Sequence, residues 1–222
     1  MKKITILSLV VFHLFMVKSN GQTIIEQKGI IEKVIDNATG KTIPMDTIRK
    51  MIEKNHNLNL QPVINEYGDV GHYIYYEKAM PNIGETDLRV KIGELFPPFV
   101  MKPVDNDSIY SSKLLGKIVM IDFWLMITKK TPLSRFEDFI TASSLNKDVI
   151  PLIVCQSSEE EAKEFMDSTK IKIPIVADAF NFLRRYHITQ VPIYVIIDKT
   201  GKLVGYFDEF KNVKIALMNL KN

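Results

Sequence analysis

Residues 91–222 predict an α/β domain built on a central mixed sheet, and three observations carry that reading. Ile118–Phe123, Val149–Val154 and Ile193–Ile197 are nearly continuous apolar runs, the pattern of strands covered on both faces. Helical periodicity fills the gaps between them. Lys199-Thr200-Gly201-Lys202 then marks a tight turn, so the chain closes with an antiparallel hairpin and a last helix.

Each element has its own warrant. Ser134–Leu145 places Phe136, Phe139 and Ile140 on one helical face, and Ser158–Thr169 does the same with Ala162, Phe165 and Met166. Ser158 supplies a capping hydroxyl, and Glu159-Glu160-Glu161 put acids in a first turn where the helix dipole favours them. The hairpin strands are Ile193–Asp198 and Leu203–Phe207, and Lys211–Leu220 is a helix with Val213, Ala216, Leu217 and Leu220 facing inward. Upstream, residues 22–90 predict a small α+β extension. Ile24-Ile25 and Gly29–Asp36 have strand character, Pro44-Met45-Asp46 opens a helix, and Leu60–Ile64 with Tyr73–Tyr76 form a hairpin around Glu66–Asp69.

Residues 1–21 read as a cleavable export signal. Met1-Lys2-Lys3 is a positive start, Ile4–Val17 is mostly apolar, and Ser19 and Gly21 are small residues placed for cleavage before Gln22. As a helix the apolar run reaches roughly 21 Å, short of a hydrocarbon core of about 30 Å. The expected location is therefore periplasmic, at the cell envelope or secreted, with no transmembrane segment after signal cleavage. The 222 residues carry 29 basic and 26 acidic side chains. Lys2, Lys3 and Lys18 lie in the leader, and removing these three leaves 26 of each sign. A body without net charge or a cationic stripe does not suit a nucleic-acid partner. No glycine-rich phosphate loop occurs, and the histidines lack ligand-like spacing, so neither cofactor nor metal is expected. Cys155 is the one cysteine in the chain, which excludes an intramolecular disulfide.

Several local motifs, in order, carry a family resemblance. Ile92-Gly93-Glu94 with Pro97-Pro98-Phe99 precedes Gly116-Lys117, which opens the run Ile118-Val119-Met120-Ile121-Asp122-Phe123-Trp124. Val191-Pro192 then leads into Ile193–Asp198 and Gly201-Lys202. Over residues 91–222 the chain resembles the thioredoxin-like superfamily, in particular exported TlpA/ResA-type proteins related to AhpC/TSA. That resemblance implies a thioredoxin-like fold, a cis-proline at Val191-Pro192, and a Cys-x-x-Cys whose first cysteine falls six positions after the aspartate. Here those positions are Thr128 and Thr131, in the loop Thr128-Lys129-Lys130-Thr131.

This substitution governs the expected chemistry. Dithiol exchange needs a thiolate to attack sulfur and a second thiol to resolve the product, and a threonine hydroxyl forms no disulfide. A threonine nucleophile needs an adjacent base, and none stands nearby in sequence. Thr131 before Pro132 reads as a helix cap with proline at the first helical position. Asp122 matches the buried acid of the family. Without its sulfur partner it reads as a buried carboxyl, raised by burial and hydrogen-bonded to a threonine hydroxyl or a water, with Lys129 and Lys130 as the candidate cationic partners. No catalytic residue is expected. The resemblance further implies a peptide-binding groove formed by Trp124, Ile127, Val191 and Pro192, with Val191 offering its backbone to an extended peptide or envelope protein. The sequence thus favours a non-catalytic binding or accessory protein. The alternative is a thiol-disulfide oxidoreductase or peroxiredoxin-like protein acting through Cys155 or a cysteine-bearing partner. The oligomeric state stays open.

Overall fold

The structure, a computed structural model, describes residues 33–55, 58–78, 85–144 and 147–220. The expected leader and the strand residues expected before Lys33 lie outside them. Contacts divide the chain into two units, one of residues 1–63 and 70–79, the other of 64–69 and 80–222.

The first unit contains β1 (Val34–Asp36), β2 (Thr42–Ile43), α1 (Met45–Lys54), β3 (Asn59–Ile64) and β4 (Val70–Tyr76). The sheet runs β2-β1-β4-β3. β1 pairs antiparallel with β2 and parallel with β4. Asp36 shapes the turn between β1 and β2, its Oδ1 accepting from the Ala38 and Thr39 N–H groups. Pro44 stands just before α1, where its missing N–H costs the helix nothing. Ile48 is the helix residue that is fully buried.

The second unit extends beyond the expected 91–222, because residues 64–69 and 80–90 group with it. The Val100 N–H donates to Glu66 O, Asn181 Nδ2 to Gly68 O, and Arg185 to Ile64 O. Gly68 has φ +83°, and a Cβ there would meet the Phe182 ring at 2.9 Å. Only glycine suits both that backbone and that approach.

Its elements begin with β5 (Val100–Met101), β6 (Ile109–Tyr110) and β7 (Ile118–Trp124). A 3-10 turn at Leu133–Phe136 leads into α2 (Glu137–Ser144), followed by β8 (Val149–Cys155), α3 (Glu159–Thr169), β9 (Ile175–Val176) and α4 (Phe180–Arg185). The chain ends in β10 (Ile193–Ile197), β11 (Leu203–Phe207) and α5 (Phe210–Asn219). The five-stranded sheet has the order β11-β10-β7-β8-β9. β7, β8 and β9 are parallel, while β10 runs antiparallel to both β7 and β11. This is the thioredoxin-like arrangement that the motifs imply. β9 and α4 were not read from sequence, and both are short.

Alternation along β7 splits the core in two. Val119, Ile121 and Phe123 join Phe182 and Leu183 of α4, and Tyr186 just after it, on one face. Ile118 and Met120 face Phe139 of α2, Phe165 of α3 and Val213 of α5 on the other. Each such buried side chain contributes about 1.5–3 kcal/mol relative to exposure. Pro151 is tolerated inside β8 because β9 pairs only with Ile153 and Val154, leaving that stretch as a sheet edge. α3 begins with the expected cap: Ser158 Oγ accepts from the Glu161 N–H, and the Glu161 carboxylate accepts from the Ser158 N–H. No helix among the described residues is long and apolar enough to cross a membrane.

Candidate functional site

An open hollow of about 390 Å³ lies beyond the end of β7. Its walls are Trp124, Met126, Thr128, Lys130, Thr131, Pro132, Arg135 and Pro192. Four residues singled out from sequence, Trp124, Thr128, Thr131 and Pro192, therefore meet in one place. Trp124 is the last residue of β7, and Pro192 stands one residue before β10, the strand beside it. The Val191-Pro192 peptide bond is cis.

The Thr128–Thr131 loop is closed on itself. The Thr128 N–H donates to Thr131 Oγ1 at 3.0 Å, and the Thr131 N–H donates to Thr128 O at 2.8 Å. Thr128 Oγ1 accepts from the Lys130 N–H at 3.3 Å. Both hydroxyl oxygens thus serve the loop's own backbone. This corrects the expected cap: the helical turn starts at Leu133, and Thr131 Oγ1 accepts from a residue behind it rather than ahead.

Two expected groove residues point elsewhere. Ile127 is fully buried in the core between α2 and α3, because its N–H donates to Ser157 Oγ at 2.6 Å and pulls the loop inward. Val191 packs its side chain against the core on the opposite face of the sheet. Its backbone lies outside the β10–β7 ladder, which starts at Ile193.

Asp122 is buried completely on the strand face it shares with Trp124, two residues away. Burial pushes its carboxyl up to about 8, and the nearby Trp124 indole pulls weakly the other way. No hydrogen bond reaches either oxygen, or Trp124 Nε1, from the described residues. Of the two partners expected from sequence, a threonine hydroxyl or a water, no threonine hydroxyl among the described residues reaches it. Neither lysine pairs with it: Lys129 engages Glu164 at 3.3 Å, and Lys130 lines the hollow.

Cys155 ends β8 beside Trp124, its register partner on β7. The thiol is fully buried, and that burial pushes it up to about 11 against a smaller lowering by Ser157. Sequence reasoning missed Met126 and Arg135 as parts of the site. The available signal for Arg135 was its place in the first helical turn after the loop, since helical side chains lean back toward the N-terminus.

Over 111 residues the chain is 23% identical to sporulation thiol-disulfide oxidoreductase A of Bacillus subtilis, covering 47% of this chain and 67% of that protein. The thioredoxin domain of a thiol-disulfide oxidoreductase from Bacteroides vulgatus superposes with a TM-score of 0.50 at 20% identity, covering 60% of this chain and 99% of that one. A Chlorobium tepidum protein assigned as the thiol:disulfide interchange protein DsbE gives a TM-score of 0.52 at 17% identity, with the same coverage. These two show the fold. The AhpC/TSA family profile matches residues 92–205, more than half of the sequence, and the chain belongs to the AhpC/TSA family.

Proposed function

We propose that this is an exported thioredoxin-like protein that has lost the redox dithiol and binds an extended peptide segment at the hollow beside Pro192. The observation that carries the reading is the Thr128–Thr131 loop. It forms the wall where the family resemblance places two cysteines, and its hydroxyls are turned to holding its own backbone. Trp124, Met126, Pro132 and Pro192 supply apolar contact. The Val191 backbone, outside the sheet ladder, supplies a donor and an acceptor for strand pairing. Export rests on the charge and apolar pattern of residues 1–21, and places the protein in the periplasm, at the envelope or outside the cell.

Burial speaks against the alternative role for Cys155. A thiol raised from 9.0 to about 11 holds about a hundredfold less thiolate at neutral pH than an ordinary one, and the thiolate is the reactive form. The mature protein is therefore expected to leave insulin reduction by dithiothreitol at its uncatalysed rate, with Cys155 unlabelled by thiol reagents until the chain is unfolded. Catalysis that disappears in Cys155→Ser would overturn this reading in favour of one-thiol chemistry. Trp124 is the single tryptophan, so its emission reports on the hollow directly. Unstructured peptides are expected to shift it.

A further inference from the structure

Resting on that reading, we infer that the hollow selects acidic peptide segments, taking carboxylate side chains next to apolar ones. The polar groups around it are of one kind. Lys130 and Arg135 both line it, and neither has a carboxylate within ion-pair reach among the described residues. No nearby acid stands in its walls: Glu137 and Asp138 open α2, Asp138 pairing with Lys214 at 2.9 Å, Glu164 pairs with Lys129 at 3.3 Å, and Asp122 is sealed in the core.

The two hydroxyls add to this bias. Thr128 Oγ1 and Thr131 Oγ1 each accept a backbone hydrogen bond, which leaves each O–H proton to donate outward. The site thus offers an ammonium, a guanidinium and two hydroxyl donors, with no side-chain carboxylate in its walls to receive a cationic ligand. A carboxylate matches that set, since charge-assisted bonds to an anion are the strong ones and a guanidinium can hold it bidentately. Trp124, Met126, Pro132 and Pro192 occupy the rest of the wall and suit an apolar neighbour on the same segment. Met126 is itself exposed, so its side chain is accessible to such a neighbour.

The test titrates Trp124 emission with a short, end-blocked peptide of paired valines and paired glutamates, which projects both residue types from each face of a strand. Its counterparts carry glutamine or lysine in place of glutamate. The glutamate peptide is expected to bind about tenfold more tightly than the glutamine one, as a charged hydrogen-bonded contact implies, and the lysine peptide not at all. Arg135→Gln should weaken the glutamate peptide about tenfold and the glutamine peptide far less, since a charge-assisted bond is the stronger one, and Arg135→Lys should keep most of the affinity. Raising salt should weaken only the glutamate peptide. If glutamate and glutamine peptides bind alike and Arg135→Gln changes neither, the acidic preference is overturned while peptide capture stands. If no peptide binds, peptide capture and the preference fall together.

Discussion

The ends of two neighbouring strands receive opposite treatment. β7 and β8 run parallel in the middle of the sheet, with Trp124 and Cys155 in register at their last residues. After β7 the chain turns out into the Thr128–Thr131 loop, where hydroxyls, a lysine and an arginine line an open hollow. After β8 it turns in: Cys155 and Ser157 are fully buried, and Ser157 Oγ is occupied by the Ile127 N–H. On the proposed reading, the position that the family resemblance gives to cysteine opens onto the hollow but carries a hydroxyl, whereas Cys155 is fully buried. Reactivity in this fold belongs to a place rather than to a residue type, because exposure and local field decide whether a thiol ionises.

The largest effect should follow from moving sulfur to that place. Thr128→Cys with Thr131→Cys is expected to close a disulfide across the loop, since the Thr131 N–H already donates to Thr128 O at 2.8 Å and holds the two residues in one turn. Thiol titration should find a single free thiol, Cys155, in the unfolded oxidised variant, and three after reduction. Insulin reduction should rise from background to a measurable catalysed rate. A folded variant that keeps three free thiols under oxidising conditions would break the equivalence between this loop and a dithiol site.

Asp122 tests what lies beneath the hollow. Its carboxyl stands at about 8 in the folded protein against 3.8 as its ordinary value. Between those values the folded chain retains a proton that the unfolded chain releases, so this group lowers stability as pH rises from about 4 to about 8, and adds nothing further above that. At about 1.4 kcal/mol per pH unit the full effect reaches several kcal/mol. Asp122→Asn removes the titration. Urea unfolding should therefore show the variant gaining on the wild type from pH 5 to pH 8. A constant difference across that range would mean that the carboxyl is charged and compensated in the native state.

The same contrast explains what was legible in the sequence. Ile118–Phe123, Val149–Val154 and Ile193–Ile197 announced their strands because burial on both faces leaves an uninterrupted apolar run. Trp124, Thr128, Thr131 and Pro192 were legible as a group because motif spacing fixes their places on the backbone. Ile127 was misplaced because its direction depends on a hydrogen bond to Ser157, thirty positions later, which no local pattern encodes. Met126 was missed because an exposed methionine carries no signal until the loop around it is folded, whereas Arg135 carried a single local signal, its place in the helical turn just after the loop. β9 and α4 escaped because two strand residues and six helical ones are too few to display a period.

A smaller effect should separate loop architecture from sulfur replacement. Thr131 Oγ1 is the acceptor that closes the Thr128 N–H at 3.0 Å. Thr131→Val keeps the shape and removes that acceptor. The orphaned N–H lies on a half-buried residue, so water recovers part of the loss, and the cost should be about 0.5–1 kcal/mol. Thr131→Ser restores the oxygen and should unfold in urea close to the wild type. A Thr131→Val chain as stable as Thr131→Ser would mean the loop is held by the Thr131 N–H to Thr128 O bond alone, leaving the Thr131 hydroxyl free to turn toward a bound segment. Trp124 emission with the glutamate peptide then decides between the two: a hydroxyl needed only by the loop leaves binding to the valine variant unchanged wherever it folds, whereas a hydroxyl that donates to the peptide weakens binding several-fold.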